Sequence, residues 1–362
     1  ELDTFDQQYG SDPGSAPLRK EFLEALSKHL HEKYFNTNLE DAAAKVLLSG
    51  TAEYNNAELQ RRKDEDPQTG IVELHYKLDS GKNVTVLGTT HVYDVASPEI
   101  AYLDNLMNSI NKDSPTVLIL EGQYGESGTT PEDPAEAIKV AGGEFGYMAS
   151  VAKQKGIEVI PGEPDPHLTA EEILASNSDI SRDDIALHYG VKTLKGIFNE
   201  TDAVPLDMVA PYVHHSVGIA GRKDKGGWVD KVTTRQEVVD LSETQKKEIL
   251  EEMPGIIERF NTQFAEVKPG KKLLSLDSEG MLHLEYDLDK PPIVWDPSPE
   301  QMGETATVLT RISRLDMLMR DRHTLSLMDG ALGTGKDLIV AVGSSHISAL
   351  KPALDSYFAS LR

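Results

Sequence analysis

Four short apolar runs, each followed closely by a histidine or a glutamate, constrain the fold more than any other feature of this chain. The runs are short for helices and rich in β-branched residues, as expected of strands buried on both faces of a parallel sheet. Helical patterns alternate with them, so the order of elements predicts an α/β fold with a central, mostly parallel sheet flanked by helices. The runs are VTVLG, TVLIL, IEVIP and LIVAVG, and the polar residues after them are His91, Glu121, Glu163 and His346.

Two of the four runs end in the same pattern, Gly-x-x-His. Gly88 to His91 closes the first run, and Gly343 to His346 closes the last. Glycine permits the close backbone turn that would bring each histidine back over the sheet. Because ligands of parallel α/β sheets bind beyond the carboxyl ends of the strands, we expect both imidazoles and both carboxylates at one edge of the sheet.

Two imidazoles and two carboxylates at one edge allow two kinds of chemistry. Two histidines with one or two carboxylates can bind zinc, manganese or iron and leave a position open for a water whose pKa the metal lowers. Without a metal, a histidine oriented by a carboxylate can act as a base. Alternatively, each histidine only caps its strand through a hydrogen bond. The coincidence of four such residues at strand ends favours the chemical interpretations.

A cation for this edge is expected from the long helix near the end of the chain. Arg320 lies in the segment MLMRDRHTLSL and could grip a substrate carboxylate or a developing oxyanion. Its structural alternative is an ordinary helix arginine paired with Asp316 or Asp321. His323 in the same segment is a further candidate.

Two other segments carry candidate side chains. The stretch GEPDPH places Glu163, Asp165 and His167 close together, so any of these three could complete the site. His214 and His215 are adjacent, and adjacent side chains point in different directions. Joint ligation by this pair is therefore not expected, and a loop or lid role is the prediction.

Composition excludes several classes of function. Lys and Arg number 36 against 60 Asp and Glu, a formal charge of −24, which argues against nucleic acid or anionic lipid as a partner. The chain has no cysteine, so thiolate nucleophiles, disulfides and cysteine-bound zinc are excluded. No apolar run approaches the roughly 18 residues that cross a bilayer. The expected partner is a peptide or a small molecule.

The predicted organisation is a flexible leader at residues 1–16 and one α/β domain at 17–362, with a largely helical insertion at about 169–290 that covers the pocket. Local signals support the first half of the domain. IVELHYKL and NVTVLG form a predicted hairpin, Ser97 caps a helix that starts at Pro98, and Gly156 ends the helix EFGYMASVAKQK.

Signals in the insertion are also local. A capping box at Thr169 and Glu172 predicts a helix start, residues 202–234 are predicted to be loop-rich, and Ser242 with Gln245 predicts a helix that reaches about Phe264. The other predicted elements are helices at 18–33 and 39–48, an edge strand in MLHLEYDL, a helix from Ser298 to about Met328, a strand at 338–342 and a helix at 348–359.

Taken in order, these motifs resemble the TraB/Tiki superfamily and, more distantly, the erythromycin esterase and ChaN-like proteins. The resemblance covers about residues 70 to 360 and implies an α/β core whose pocket is formed by the motifs. The motifs are Gly88-Thr89-Thr90-His91, Glu121, Arg320-Asp321 and Gly343-Ser344-Ser345-His346.

The resemblance implies a hydrolase of the metal-dependent peptidase type, since Tiki members are metal-dependent peptidases and TraB members are linked to the inactivation of peptide pheromones. It implies that His91, Glu121 and His346 bind a divalent ion (Mn, Co or Zn) or activate water directly, and that Arg320 steadies the charge of the substrate. Glu163 joins the predicted catalytic set because of its position after a strand. The esterase relatives hydrolyse their substrates with His and Glu.

ChaN-like relatives bind haem, so the alternative is a non-catalytic protein that binds haem or a peptide. The chain begins at Glu1 without a methionine. Together with the frequent export of the family, this start predicts an extracytoplasmic or secreted location.

Overall fold

The computed structural model describes residues 70–110, 115–122, 130–140, 143–198, 201–219, 241–287 and 306–360. The predicted leader and the predicted helices at 18–33 and 39–48 lie outside the described residues. The chain divides into two compact units. We call the residues up to Glu163 and from Arg320 onward the sheet unit, and Pro164–Met319 the helical unit.

The sheet unit contains a five-stranded sheet, with elements numbered along the whole chain. Its strands are β1 (Val72–Lys77), β2 (Asn83–Thr89), β3 (Thr116–Leu120), β4 (Glu158–Pro161) and β8 (Asp337–Gly343). Their order in space is β1-β2-β8-β3-β4. β1 pairs antiparallel with β2, which confirms the hairpin, and every other pairing is parallel. The predicted α/β fold with a mostly parallel sheet is thereby confirmed.

Helices flank this sheet. They are α1 (Pro98–Ser109), α2 (Pro134–Val140), α3 (Glu144–Lys155) and α9 (Ser344–Ser360), together with the part of α8 (Val308–Leu332) from Arg320 onward. Consecutive residues of the central strands β3 and β8 are buried, and successive residues of a strand point to opposite faces, so both faces of the sheet are buried there. Leu118 packs in the core formed with α1 and α3. On the other face, Phe358 of α9 stacks on Tyr76 of β1, with ring centroids 4.3 Å apart.

Two helix ends of the sheet unit that were predicted from local caps agree with the structure. The Ser97 side chain accepts a hydrogen bond from the Ile100 N–H (3.2 Å), and Pro98 is the first residue of α1. Gly156 ends α3 in the left-handed region, with φ of 67°. The last helix was predicted from residue 348, but α9 begins at Ser344, directly after β8. His346 therefore lies in the first helical turn.

The helical unit has its own core and a small sheet. Its elements are α4 (Pro166–Ser176), α5 (Arg182–Ile197), β5 (Ala203–Pro205), α6 (Leu206–Gly218), α7 (Glu243–Val267), β6 (Leu274–Leu276), β7 (Met281–Leu284) and α8 up to Met319. The strands form an antiparallel sheet in the order β5-β7-β6. Phe260 and Phe264 of α7 are among its buried core residues.

Several predictions in this unit are wrong. MLHLEYDL contains a strand as predicted, β7, but its predicted edge position is wrong because β7 pairs with a strand on each side. The capping box at Thr169 is wrong because α4 begins at Pro166, where the Asp165 side chain accepts the His167 N–H (2.7 Å). The capping box at Ser242 and Gln245 is confirmed at the start of α7.

The prediction that 202–234 is loop-rich is also wrong over 206–218, because these residues form α6. Val209, Val213 and Val217 recur every four residues and are buried, so their burial favours a helix in spite of Pro211. The predicted start of the longest helix at Ser298 lies outside the described residues; the described helix runs from Val308 to Leu332. That one domain carries an insertion which covers the pocket stays a prediction. Within the described part of the chain, no helix combines the length and apolar character needed to cross a membrane.

Candidate functional site

The register of the parallel strands brings the four predicted residues to one edge of the sheet. Thr89 of β2 lies opposite Gly343 of β8, and Leu120 of β3 lies between Ala341 and Pro161 of its two neighbours. The residues that follow these strand ends are, in spatial order, His91, His346, Glu121 and Glu163. The catalytic and metal-binding roles of these residues stay predictions.

His91 has an unusual backbone conformation. Its φ is 57°, and among the described residues it is the one non-glycine with a positive φ. Its side chain is 52% exposed, and the edge of the ring meets Phe145, with centroids 5.5 Å apart. The left-handed region is disfavoured for residues with a Cβ, so neighbouring contacts must hold the loop in place.

Glu144, at the start of α3, makes those contacts and is fully buried. Its carboxylate accepts hydrogen bonds from the Thr89 hydroxyl (2.5 Å), the His91 N–H (3.1 Å) and the Val92 N–H (2.8 Å). Nδ1 of His91 also lies 3.4 Å from the same carboxylate. Glu144 was not among the site residues predicted from the sequence. Its one signal is an acidic residue followed by the otherwise apolar turn FGYM.

His346 has a carboxylate partner of its own. Its Nδ1 lies 2.6 Å from Oδ1 of Asp321, and both side chains are buried. A carboxylate oxygen accepts, so the ring nitrogen that faces it donates, and this leaves Nε2 of His346 for the site. That Nε2 lies 3.9 Å from Oε1 of Glu121. In the sequence analysis, Asp321 was an alternative partner for Arg320 and part of the Arg320-Asp321 motif, and it was not predicted as the partner of His346.

Gly343 marks the point where the three predicted metal ligands converge. A Cβ at this position would lie 3.2 Å from Oε2 of Glu121, 3.6 Å from Nε2 of His91 and 3.8 Å from Cδ2 of His346. A larger residue would therefore intrude among the three side chains. Both histidines direct Nδ1 to a carboxylate, and Nε2 is the ring nitrogen near the convergence point.

Glu121 is held as an anion. Its carboxylate binds Arg320 and accepts the N–H of Gly343, which precedes the first residue of α9. Burial alone would raise its pKa. The charges of Arg320 and His346 and the Gly343 N–H outweigh burial, and the pKa of Glu121 falls from 4.5 to about 2.

Arg320 joins two of the predicted site residues. Its guanidinium binds both Glu121 and Glu163. Of the three candidates in GEPDPH, Glu163 is thus the one placed at Arg320, whereas Asp165 caps α4. Asp316, an alternative partner considered for Arg320, accepts the Tyr189 hydroxyl (2.9 Å) in the helical unit.

The carboxylates change the proton affinity of the two site histidines. The hydrogen bond to Glu144 raises the pKa of His91, although burial opposes it. Burial would lower the pKa of His346, but the charge and hydrogen bond of Asp321 outweigh it and raise the pKa. His323 behaves differently, because burial lowers its pKa to about 4 and the charge of Glu163 offsets this only in part.

Two histidines discussed in the sequence belong to the helical unit. His214 and His215 belong to α6 in the helical unit, where Nε2 of His214 lies 3.2 Å from Glu252. The prediction that this segment is a loop is therefore wrong.

The donor types at Gly343 suit a divalent metal, because two imidazole Nε2 atoms and a carboxylate are common zinc, manganese and cobalt ligands. A carboxylate behind each Nδ1 is also how proteins orient metal-bound histidines. In the part of the chain that the structure describes, however, no group of three or more His, Asp or Glu side chains is arranged to hold a metal. Both oxygens of Glu121 are engaged, by Arg320 and by the Gly343 N–H.

Comparisons with protein-family models, with curated proteins and with solved structures find no match to this chain.

Proposed function

We propose that this chain is a hydrolase that cleaves a peptide or ester bond at the edge of the parallel sheet. The observation that carries the proposal is the pairing of His91 with Glu144 and of His346 with Asp321, each through Nδ1. Both pairs bring Nε2 toward the space beside Gly343. Imidazoles backed by carboxylates in this way are suited to take and return protons.

The proposed reaction uses the two imidazoles as a unit. One Nε2 removes a proton from a water molecule as the water oxygen attacks the substrate carbonyl carbon. The carboxylate behind the ring stabilises the imidazolium, which then returns the proton to the leaving amine or alcohol as the scissile bond breaks. The products are a carboxylic acid and that amine or alcohol.

Glu121 and Arg320 set the charge around the reacting atoms. The carboxylate of Glu121 stabilises a protonated His346, whose Nε2 is 3.9 Å away. Arg320 ties Glu121 to Glu163 and places a cation beside the carbonyl oxygen that becomes negative. As the alternative to an imidazole base, His91, Glu121 and His346 would hold a divalent ion such as Mn, Co or Zn, which would lower the pKa of a water in the site.

The first test asks whether His91 and His346 act together. Turnover of a panel of peptide and ester substrates is measured with chelator and with Mn, Co or Zn, for the wild type, His91→Ala, His346→Ala and the double variant. Residues of one catalytic unit are strongly non-additive, so we expect each single change to remove most of the activity and the double change to add little.

His75→Ala is the matched control, because His75 lies on β1, is mostly exposed and contacts Glu73 and Thr85. It should keep full activity. Multiplicative losses in the double variant would contradict a shared site. A wild type that turns over no substrate under any of these conditions, but gives a Soret band with haemin, would indicate a ligand-binding protein instead of a hydrolase.

Metal content provides a separate readout. If the purified wild type holds a divalent ion, elemental analysis should show its loss in His91→Ala, Glu121→Ala and His346→Ala, whereas a wild type without metal would assign the reaction to the imidazoles. Metal retained by all three variants would contradict the proposed ligands. Activity that persists in chelator would assign the reaction to the imidazoles alone.

A further inference from the structure

We propose that Glu144 is the positioning residue of the site, which holds the loop after β2 in the conformation that presents Nε2 of His91 to the space beside Gly343. The proposal deepens the proposed hydrolase function, on which it rests only for its activity readout. Glu144 lies behind the imidazole and contacts its Nδ1 side, so its role is to place His91 rather than to touch the substrate.

The backbone of the loop needs support from surrounding contacts. A histidine with φ of 57° has its Cβ close to the backbone and keeps this conformation only where surrounding contacts enforce it. Glu144 contacts the loop on both sides of the unfavourable residue, through Thr89 before it and the N–H of Val92 after it. It also accepts the N–H of His91 itself. One buried carboxylate therefore holds three of the four residues from Thr89 to Val92.

The start of α3 lies very close to this loop. Gly143 precedes α3 with φ of 68°, and a Cβ there would lie 2.6 Å from the carbonyl oxygen of Val92. Phe145, on the other side of Glu144, meets the edge of the His91 ring. Three successive residues, 143–145, thus contact the loop. The start of this helix is built around the histidine, although α3 follows β2 by more than fifty residues.

Glu144 also determines which ring nitrogen of His91 carries the hydrogen. A carboxylate accepts, so Glu144 selects the form of the neutral imidazole that carries its hydrogen on Nδ1. The lone pair of Nε2 is then available at the edge of the sheet. This selection follows from the contact between Nδ1 and Oε1, at 3.4 Å, and from the fixed position of the loop.

Glu144→Gln separates positioning from a general structural role. Glutamine has nearly the same shape but one acceptor oxygen, whereas the donors of the loop use both oxygens of Glu144. The amide NH2 must then face an N–H or O–H donor. We expect the loop to shift and the neutral His91 ring to populate both tautomers, while the sheet remains folded.

The measurement is the pair of ring ¹⁵N shifts of His91, recorded without substrate in chelator-treated protein at alkaline pH and assigned by comparison with His91→Gln. The wild type should show hydrogen on Nδ1 only, and Glu144→Gln should show a mixture. Where the wild type turns substrate over, kcat of the variant should fall about 10–100-fold with little change in KM, as is typical for residues that orient a catalytic histidine.

Ser150→Ala is the matched control. Ser150 is also buried on α3, and its hydroxyl donates to the carbonyl of Glu132 (3.0 Å), so its loss removes one hydrogen bond of the same helix away from the loop. It should leave the ring shifts and kcat unchanged. Gly143→Ala is a second test that keeps Glu144, because its Cβ would displace the carbonyl of Val92. It should disturb the His91 ring in the same way.

The results separate this role from the proposed function. Ring shifts of His91 that stay at their wild-type values in both Glu144→Gln and Gly143→Ala would overturn the positioning role, whatever the activity. If Glu144→Gln fails to fold, unchanged shifts in Gly143→Ala alone would overturn it. A wild type without turnover would overturn the hydrolase, whereas the tautomer result would stand.

Discussion

Replacing Glu121 by glutamine tests the electrostatics of the site through stability. The pKa of Glu121 lies at about 2 instead of 4.5, and its side chain is only 12% exposed. A difference of this size means that the ionised carboxylate stabilises the folded state by about 3 kcal/mol relative to the protonated one. The stabilising contacts are those with Arg320, with His346 and with the N–H of Gly343.

The sign of the pH dependence follows from the direction of the shift. The folded-state pKa of Glu121 lies below the unfolded value, so its contribution is fully present above about pH 4.5 and is lost as the pH falls toward 2. Glutamine has no such titration. Glu121→Gln should therefore be less stable than the wild type by about 3 kcal/mol at neutral pH, and the gap should close below pH 4.5.

The assay is urea unfolding at a series of pH values in the presence of chelator, followed through the methyl NMR signals of Ile119 and Val340. Both side chains are buried in central strands of the sheet, so they report on the unit that holds the site. Glu158→Gln is the control, because its ion pair with Lys336 is largely solvated and should matter little at any pH. A gap between wild type and Glu121→Gln that does not change with pH would refute the reasoning.

Two further predictions concern the helical unit. Gly190→Ala should lower the free energy of unfolding by about 1–3 kcal/mol, because its Cβ would lie 2.2 Å from the Phe260 ring. Gly255→Ala has no atom within 4 Å of the new Cβ and should raise the free energy of unfolding by up to about 1 kcal/mol. Thermal melts that rank the two variants the other way would contradict the packing argument. Burial lowers the pKa of His188 to about 4, so the stability that it carries is complete above pH 6.5 and falls by about 3 kcal/mol toward pH 4. His188→Gln should flatten this part of the pH profile in urea unfolding, and an unchanged slope would show that another group titrates there.

Elements with short-range signals could be predicted from the sequence. The hairpin of β1 and β2, the start of α1 at Ser97, the end of α3 at Gly156 and the capping box at Ser242 all depend on groups a few residues apart. Predictions failed where distant partners decide the outcome. The segment 206–218 was predicted as part of a loop-rich stretch, and its valines favour a helix only once a core buries them.

The sequence alone determined which residues stand at strand ends, because each apolar run and the residue after it are neighbours in the chain. Only the tertiary structure decided that the last strand lies between β2 and β3, which brings His346 between His91 and Glu121. It also decided the partners of the two histidines. His91 and Glu144 are 53 residues apart, and Asp321 and His346 are 25 apart. Contacts over such separations depend on how strands and helices pack, and no local pattern of residues encodes that packing.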